Sequence, residues 1–250
     1  ALPPRLAAMI LHAAEDGEQA AAARLAVLLT EQGLGGSAID IEERLRRFSN
    51  ERGERAEAAR RLAQRMAEGF GTAATGTTST AGALLMHAFP DRVALQRGGR
   101  GRFVMANGRG GELPETERLA GAEMIVVADL TGQAGRQRIL AAAEIDRATV
   151  EAGLAEKIVR EDQCVFDRAS RQVRARRVVR LGAMILEEAP LPRPTGPKAA
   201  EALADGVRQL GMQALSFSRE AAQLRDRLGL LPRSPGGSSP DTPEAALIAP

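Results

Sequence analysis

RGGRGRFVMANGRGGELPETERLAGAEMIVVADL, running from Arg97 to Leu130, decides the fold class of this chain. Residues 102–106, Arg-Phe-Val-Met-Ala, read as a β-strand that ends at the turn dipeptide Asn107-Gly108. Residues 124–128, Met-Ile-Val-Val-Ala, form an unbroken apolar run and predict a second, more buried strand. Arg97, Arg100, Arg102 and Arg109 crowd the first strand and its turns, with glycine at 98, 99, 101, 108, 110 and 111. Arginine on a glycine-rich β-ribbon suits a polyanion, because the backbone lies open where phosphates must approach.

Working outward, the flanking regions change period. The first 70 residues predict four short amphipathic helices. Pro3 and Pro4 occupy a first turn that tolerates proline, followed by Leu6, Met9, Ile10 and Ala13 at helical spacing. A second helix carries Leu25, Leu28 and Leu29. Ser37 is the expected N-cap of a third that bears Ile41, Leu45 and Phe48. In the fourth, Leu62 and Met66 stand four apart. Residues 71–80, GTAATGTTST, read as a polar linker, and Thr80 as the cap of a short helix that Pro90 stops. Strands are predicted at 93–96, 103–106, 124–128, 138–142, 163–166 and 173–181, with helical residues between Asp146 and Ile158. Some five short strands with one helix match an OB-type barrel in count and order. From Leu186 to Pro197 the chain is proline-rich and reads as a linker. Helices follow at 199–210, with Leu203, Val207 and Leu210 in phase, and at 218–228.

The expected class is therefore α+β, a small helical bundle followed by an OB-like barrel and C-terminal helices. The expected parts are a bundle at 1–70, the linker at 71–80, a β domain at 81–190, a helical extension at 191–231 and a disordered tail at 232–250.

Composition narrows the chemistry. The 250 residues include no Trp or Tyr, so aliphatic side chains and alanine must fill the cores and only Phe can stack on a base. Lys occurs only at Lys157 and Lys198, which leaves Arg as 32 of the 34 basic residues. The net charge of +2 is unevenly spread: −1 over residues 1–70, +4 over 71–181 and −1 over 182–250. A mildly basic middle predicts local phosphate contacts rather than a broadly cationic surface. Cys164 is the only cysteine, which excludes an intrachain disulfide and fits a reducing, cytoplasmic setting. No apolar run approaches the roughly 20 residues of a membrane-spanning helix, and no signal-peptide pattern is present. The chain begins at Ala, within a helical pattern, and reads as a piece of a longer protein.

Catalytic constellations are missing from the sequence. Neither lysine stands in Gly-x-x-x-x-Gly-Lys-Ser/Thr, so no P-loop is encoded, and the turn around Arg109 leads into an acidic loop rather than the helix of a dinucleotide fingerprint. His12 and His87 stand alone in helices with no HExxH, so no metal site is expected. Cys164 reads as a buried, inert thiol, and the pairs Glu42–Glu43 and Glu187–Glu188 as solvated. A second basic cluster comprises Arg168, Arg171, Arg174, Arg176, Arg177 and Arg180. On a strand, Arg174, Arg176 and Arg180 share a face with Val178, opposite Val173, Ala175, Arg177, Val179 and Leu181; the arginine face is either solvated or in contact with phosphate.

LPPRLAAMILHA at 2–13 resembles a helix of the helicase-associated region of DEAH-box helicases. AFPDRVALQRG at 88–98, GRFVMANGRGGEL at 101–113, LAGAEMIVVADLTG at 119–132 and VRARRVVRLGAMILEEAPLP at 173–192 resemble the β domain of HrpB-type bacterial ATP-dependent DEAH-box helicases, in the family's order over roughly residues 2–230. Phe89 replaces the tyrosine of the family's YPDR position, and the family's tryptophan is absent. The resemblance implies a ratchet-like bundle, an OB-like domain beside a nucleic-acid channel, and motor domains before Ala1 that carry the ATP and magnesium site and the DExH box. It also implies a partner, single-stranded nucleic acid and specifically RNA, with the missing motor domains as a second; the chain alone would carry no catalytic residue, cofactor or metal. The nucleic-acid-binding residues expected are Arg97, Arg100, Arg102, Arg109, Arg174 and Arg176, with Arg100, Arg102 and Arg109 on phosphates and Asn107 making the turn. The alternative reading is a protein-docking module whose β domain receives an activator peptide.

Overall fold

The computed structural model describes residues 2–70, 79–133, 137–192, 194, 196–211, 218–220 and 223. The expected linker at 71–80 lies outside them except for Ser79 and Thr80, as do most of the helix expected at 218–228 and the whole tail from 232. The chain divides into two compact units, Ala1–Val159 with Arg180–Leu186, and Arg160–Val179 with the chain from Glu187 on.

Helices α1 (Pro4–Glu15), α2 (Gln19–Thr30), α3 (Ile41–Asn50) and α4 (Glu54–Glu68) form the bundle. Leu6, Met9, Ile10 and Ala13 are the buried face of α1, as their spacing requires. Helix α4 turns inward Ala56, Ala59, Ala63 and Ala67, whereas Leu62 and Met66, the expected core pair, are half-buried. This alanine stripe packs on α2, where Ala22, Ala23 and Ala26 are also buried, so small side chains let the two backbones approach closely. Asp40, not Ser37, caps α3: its Oδ1 accepts from the Glu42 amide at 3.0 Å. The chain before it is extended because Ile39 and Asp40 pair with the barrel at Ala142. Arginine supplies the missing donors at helix C-termini. Arg44 donates to Leu28 O, Arg55 to Gln32 O, and Arg60 to both Phe48 O and Glu51 O.

Helix α5 (Ala81–Ala88), capped by Thr80 as expected, leads through a 3-10 turn at Pro90–Arg92 into the barrel. The strands are β1 (Val93–Gln96), β2 (Arg102–Met105), β3 (Gly110–Glu112), β4 (Met124–Thr131) and β5 (Arg138–Glu144). They close in the order β1-β2-β3-β5-β4, with β3 and β5 parallel through Glu112 and Arg138 and every other pair antiparallel. This is an α+β chain, a helical bundle followed by an OB-like barrel. The barrel core holds Ala94, Phe103, Met105, Leu113, Leu119, Ile125, Val127, Ile139 and Ala142. Strand β3 carries the glycines that disguise it as a loop. Gly111 pairs with Phe103, and a Cβ there would stand 3.0 Å from Ile139 Cγ1, so the isoleucine leaves little room for a side chain.

Helix α6 (Arg147–Gly153) follows the barrel instead of interrupting it. The last two expected strands are not barrel strands. They become β6 (Ile158–Asp167) and β7 (Gln172–Leu181) of a separate three-stranded sheet, completed by β8 (Met184–Leu191). Strand β8 occupies half of the stretch expected to be a proline-rich linker; as an edge strand it accommodates Pro190. Helix α7 (Pro197–Leu210) buries Ala202 and Gly206, whereas Leu203 is 51% exposed and Val207 and Leu210 are half-buried. A Cβ at Gly206 would lie 2.3 Å from Phe166 Cγ, so the ring of β6 selects the inward face of the helix.

Candidate nucleic-acid interface

The β1–β2 connection is shaped by its glycines. Gly98 and Gly101 have φ of +84° and +79°, and a Cβ at Gly101 would collide with Leu113 O at 2.5 Å. The loop is held by Arg97 N donating to Arg102 O and Gly101 N to Ala120 O. At the β2–β3 turn Gly108 has φ +83° and its amide donates to Met105 O at 2.8 Å. Asn107 Oδ1 accepts from the Arg109 amide at 3.0 Å, so the Asn side chain builds the turn. The turn of Gly182 and Ala183 between β7 and β8 packs against it, with Ala183 N donating to Ala106 O at 2.7 Å.

These two turns and strand β2 bring Arg97, Arg100, Arg102 and Arg109 together on one connected ribbon of the first unit. Their guanidinium groups differ in what holds them. Arg97 donates to the carbonyl of Ile185 at 2.8 Å, and Arg100 to that of Glu115 at 2.9 Å. Both are oriented by neutral acceptors, and among the described residues neither is joined in an ion pair. Arg109 is exposed, and among the described residues its guanidinium has no partner. Arg102 pairs loosely with Glu112, at 3.7 Å.

Arg174 and Arg176 stand on β7 in the second unit. Each is neutralised by a carboxylate: Arg174 by Asp167 and Arg176 by Glu188, both at 2.8 Å. Arg177 meets Asp162 with Nε and Nη2, which raises the arginine's pKa and lowers that of the aspartate. A hydrogen bond from Ser170 is the first cause that holds Asp167 below the usual carboxylate range, and the Arg174 charge adds to it. Burial on β7 does not alternate as expected. Ala175, Val178 and Leu181 are buried, three apart, whereas Arg174 is exposed and Arg176 and Arg180 are half-buried.

Other expectations also change. His12 and His87 are not isolated; their rings stack with centroids 4.5 Å apart. Cys164 is half-buried. Glu42 accepts from the Ala81 amide at 2.5 Å, while Glu43 and Glu188, with side chains 40% and 45% exposed, pair with Arg47 and Arg176. Among the described residues no helix is long and apolar enough to cross a membrane, and no group of three or more His, Cys, Asp or Glu could hold a metal ion. Sequence reasoning missed a cleft in the first unit where Arg44 and Asp129, 85 positions apart in the numbering, line the same space. Asp129 stands where the register of β4 with β5 shifts, an irregularity that no local signal announces.

No protein-family model matches the chain. It is 31% identical over 228 residues to the ATP-dependent RNA helicase HrpB of Escherichia coli K12, a match that covers 90% of this chain and 27% of the relative. Two solved structures share the fold. A crystal structure of the E. coli DExH-box NTPase HrpB matches with a TM-score of 0.66 and 27% identity, over 98% of this chain and 30% of that one. A crystal structure of the E. coli DEAH/RHA helicase HrpB matches with a TM-score of 0.65 and 27% identity, over 90% of this chain and 28% of that one. The chain thus spans less than a third of the length of the proteins it matches.

Proposed function

Because the chain is homologous to E. coli HrpB over 90% of its length, we propose that it is an accessory region of an ATP-dependent RNA helicase. In this reading it grips single-stranded RNA, while motor domains outside these residues bind ATP and magnesium and hydrolyse the nucleotide. The observation that carries the binding role is the sorting of the arginines. On the β1–β2–β3 ribbon Arg97 and Arg100 are oriented by carbonyls, Arg109 has no partner among the described residues, and Arg102 pairs only loosely with Glu112. On β7, Arg174, Arg176 and Arg177 are spent on carboxylates, whereas Arg180 donates to the Gly182 carbonyl. A phosphate competes poorly for an arginine already paired at 2.8 Å and well for one oriented by a neutral oxygen. The contact set proposed is therefore Arg97, Arg100 and Arg109, with Arg102 contributing less.

Replacing Arg97, Arg100 and Arg109 together with alanine is expected to weaken binding of single-stranded RNA to a similar degree for all sequences. It should also flatten the salt dependence, by roughly 0.7 in log–log slope for every phosphate that is no longer neutralised. The double change Arg174→Ala and Arg176→Ala should leave both nearly unchanged. If the ribbon variant binds as the parent does, with the same salt slope, the ribbon is not the contact surface; a large loss in the double variant would move the site to β7.

A further inference from the structure

The turn between β7 and β8 is remote in sequence from the arginine ribbon, yet it holds the ribbon at two places. Gly182 has φ +57°, and a Cβ there would overlap the carbonyl oxygen of Ala106. Only glycine combines that conformation with so close an approach to a main-chain oxygen. Beside it, the Ala183 amide donates to the same oxygen at 2.7 Å. From the facing side Gly108 keeps the contact close, since a Cβ there would stand 3.3 Å from Ala183 Cβ. Two residues on, the Ile185 carbonyl accepts from Arg97 Nη2 at 2.8 Å. All of these residues lie in the first unit.

The bonds within the ribbon set its shape. Met105 N donates to Arg109 O and Gly108 N to Met105 O, which closes the turn, and Arg97 N donates to Arg102 O. Bonds to other segments set where that shape sits. Asn107 N donates to Asp91 O at 3.0 Å on one side, and Ala183 N to Ala106 O on the other. The turn that carries Arg109 is thus gripped between the lead into β1 and the β7–β8 turn. Arg180 braces the β7–β8 turn in its place, with Nη1 donating to Gly182 O at 2.9 Å.

Seating matters for exposed arginines. A free arginine loses rotamer entropy when it closes on a phosphate, and one already oriented loses less. Such ordering in advance is worth about two- to tenfold in affinity for each side chain. It leaves the number of neutralised phosphates unchanged, and with it the salt dependence. A residue that acts only by seating the ribbon therefore has its own signature: affinity changes and the salt slope does not.

We propose that Gly182 is a positioning residue for RNA binding: by seating the β7–β8 turn on the Ala106 carbonyl, it holds Arg97 and the turn of Arg109 in the arrangement that meets phosphate. The proposal rests on the reading of the ribbon as the RNA contact, and adds to it a determinant of affinity that has neither charge nor side chain. The coupling runs both ways. If the seated turn favours RNA, bound RNA favours the seated turn.

The test uses the full chain and a labelled oligouridine strand at several salt concentrations. Gly182→Ala is expected to bind about two- to tenfold more weakly at each of them, with a slope close to the parent's. Without RNA, the amide signals of Asn107, Gly108 and Arg109 should already shift in this variant. Gly82→Ala is the control. Its Cβ would overlap Glu144 O, a clash of the same kind on α5, outside the ribbon, and it should leave RNA affinity unchanged. In an Arg97→Ala background Gly182→Ala should cost less than in the parent, because part of what the turn positions is gone. Parent-like affinity in Gly182→Ala, or an equal loss in Gly82→Ala, overturns the proposal and leaves the RNA reading standing. Parent-like binding by the variant with alanine at 97, 100 and 109 removes the RNA reading and the proposal with it, as does a parent that binds no RNA. A second measurement needs no variant and decides the matter if Gly182→Ala does not fold. Saturating oligouridine should slow hydrogen exchange at the Ala183 amide more than at the Ala142 amide, which donates to Ile39 O. An equal change at the two amides overturns the proposal.

Discussion

At the scale of single residues, the stacked histidines carry a pH dependence. His87 is half-buried at the contact of α1 with α5, and its pKa is lowered first by burial and then by the charge of His12; Asp16 and Glu15 oppose the shift only in part. A histidine whose folded pKa lies below its unfolded value, near 6.5, binds more protons in the unfolded chain. Its stabilising contribution is therefore complete above the unfolded pKa and is lost as pH falls through about 6.5 toward the folded value. The melting temperature should hold steady above about pH 7 and decline between about pH 6.5 and 5.5, before most carboxylates titrate. In His87→Gln that decline should flatten; the same decline in the variant would assign it to other groups. The pairing itself has no trace in the sequence, because His12 and His87 lie on separate helices that only the fold brings together. Gly82 is similar. A glycine inside a helix looks like a weakness, yet a Cβ there would stand 2.1 Å from Glu144 O, so its role is visible only once α5 lies on β5.

At the scale of elements, the bundle meets the barrel through one buried carboxylate. Asp40 has an 8% exposed side chain, with Oδ1 capping α3 and Oδ2 accepting from Arg118 Nε and Nη2 at 3.0 and 2.8 Å. Arg118 also donates to Glu144 of β5 at 2.6 Å, and Glu144 and Asp40 together raise its pKa. In Arg118→Met the Asp40 carboxylate would stay buried with only its cap bond. Leaving such a group underpaired costs about 1–3 kcal/mol, and the lower part of that range is expected because Arg118 itself is largely solvated. Chemical denaturation should register the loss, with Asp40→Asn combined with Arg118→Met recovering part of it. A change within measurement error in the single variant would mean that the joint rests on its other contacts, such as the Ile39–Ala142 backbone pairing and the Arg5–Asp91 pair. Elements are legible in the sequence where one face is strongly apolar, as in α1 and β4. They are misread where small residues make the contact. The alanine face of α4 and the glycines of β3 carry little hydrophobic signal, and β8 is hidden by a proline that only an edge strand accommodates.

At the scale of the whole molecule, electrostatics limit how RNA could be held. The net charge is only +2, and the basic excess lies in residues 71–181. Within that stretch, Arg118, Arg147, Arg174, Arg176 and Arg177 are all paired with carboxylates, so the number of unopposed cations is much smaller than the arginine count suggests. The sequence locates the arginine ribbon as a cluster but does not separate the arginines held by carbonyls from those spent on ion pairs. Partners such as Asp167 for Arg174 or Ile185 O for Arg97 depend on strand pairing and turn contacts, not on spacing. This sorting sets a quantity. If Arg97, Arg100 and Arg109 supply the phosphate contacts, each releases about 0.7 counterion from a single strand, and the log–log dependence of affinity on salt should have a slope near about −2. A slope steeper than about −4 would require several more cations than the ribbon offers, and would show that ion pairs such as Arg174–Asp167 open to admit phosphate. A slope near zero would place the attraction in uncharged contacts and remove the ribbon from the interface. Titration of one fluorescently labelled oligouridine strand over a series of salt concentrations distinguishes the three outcomes, and the ribbon variant measured beside the parent assigns the slope to these arginines.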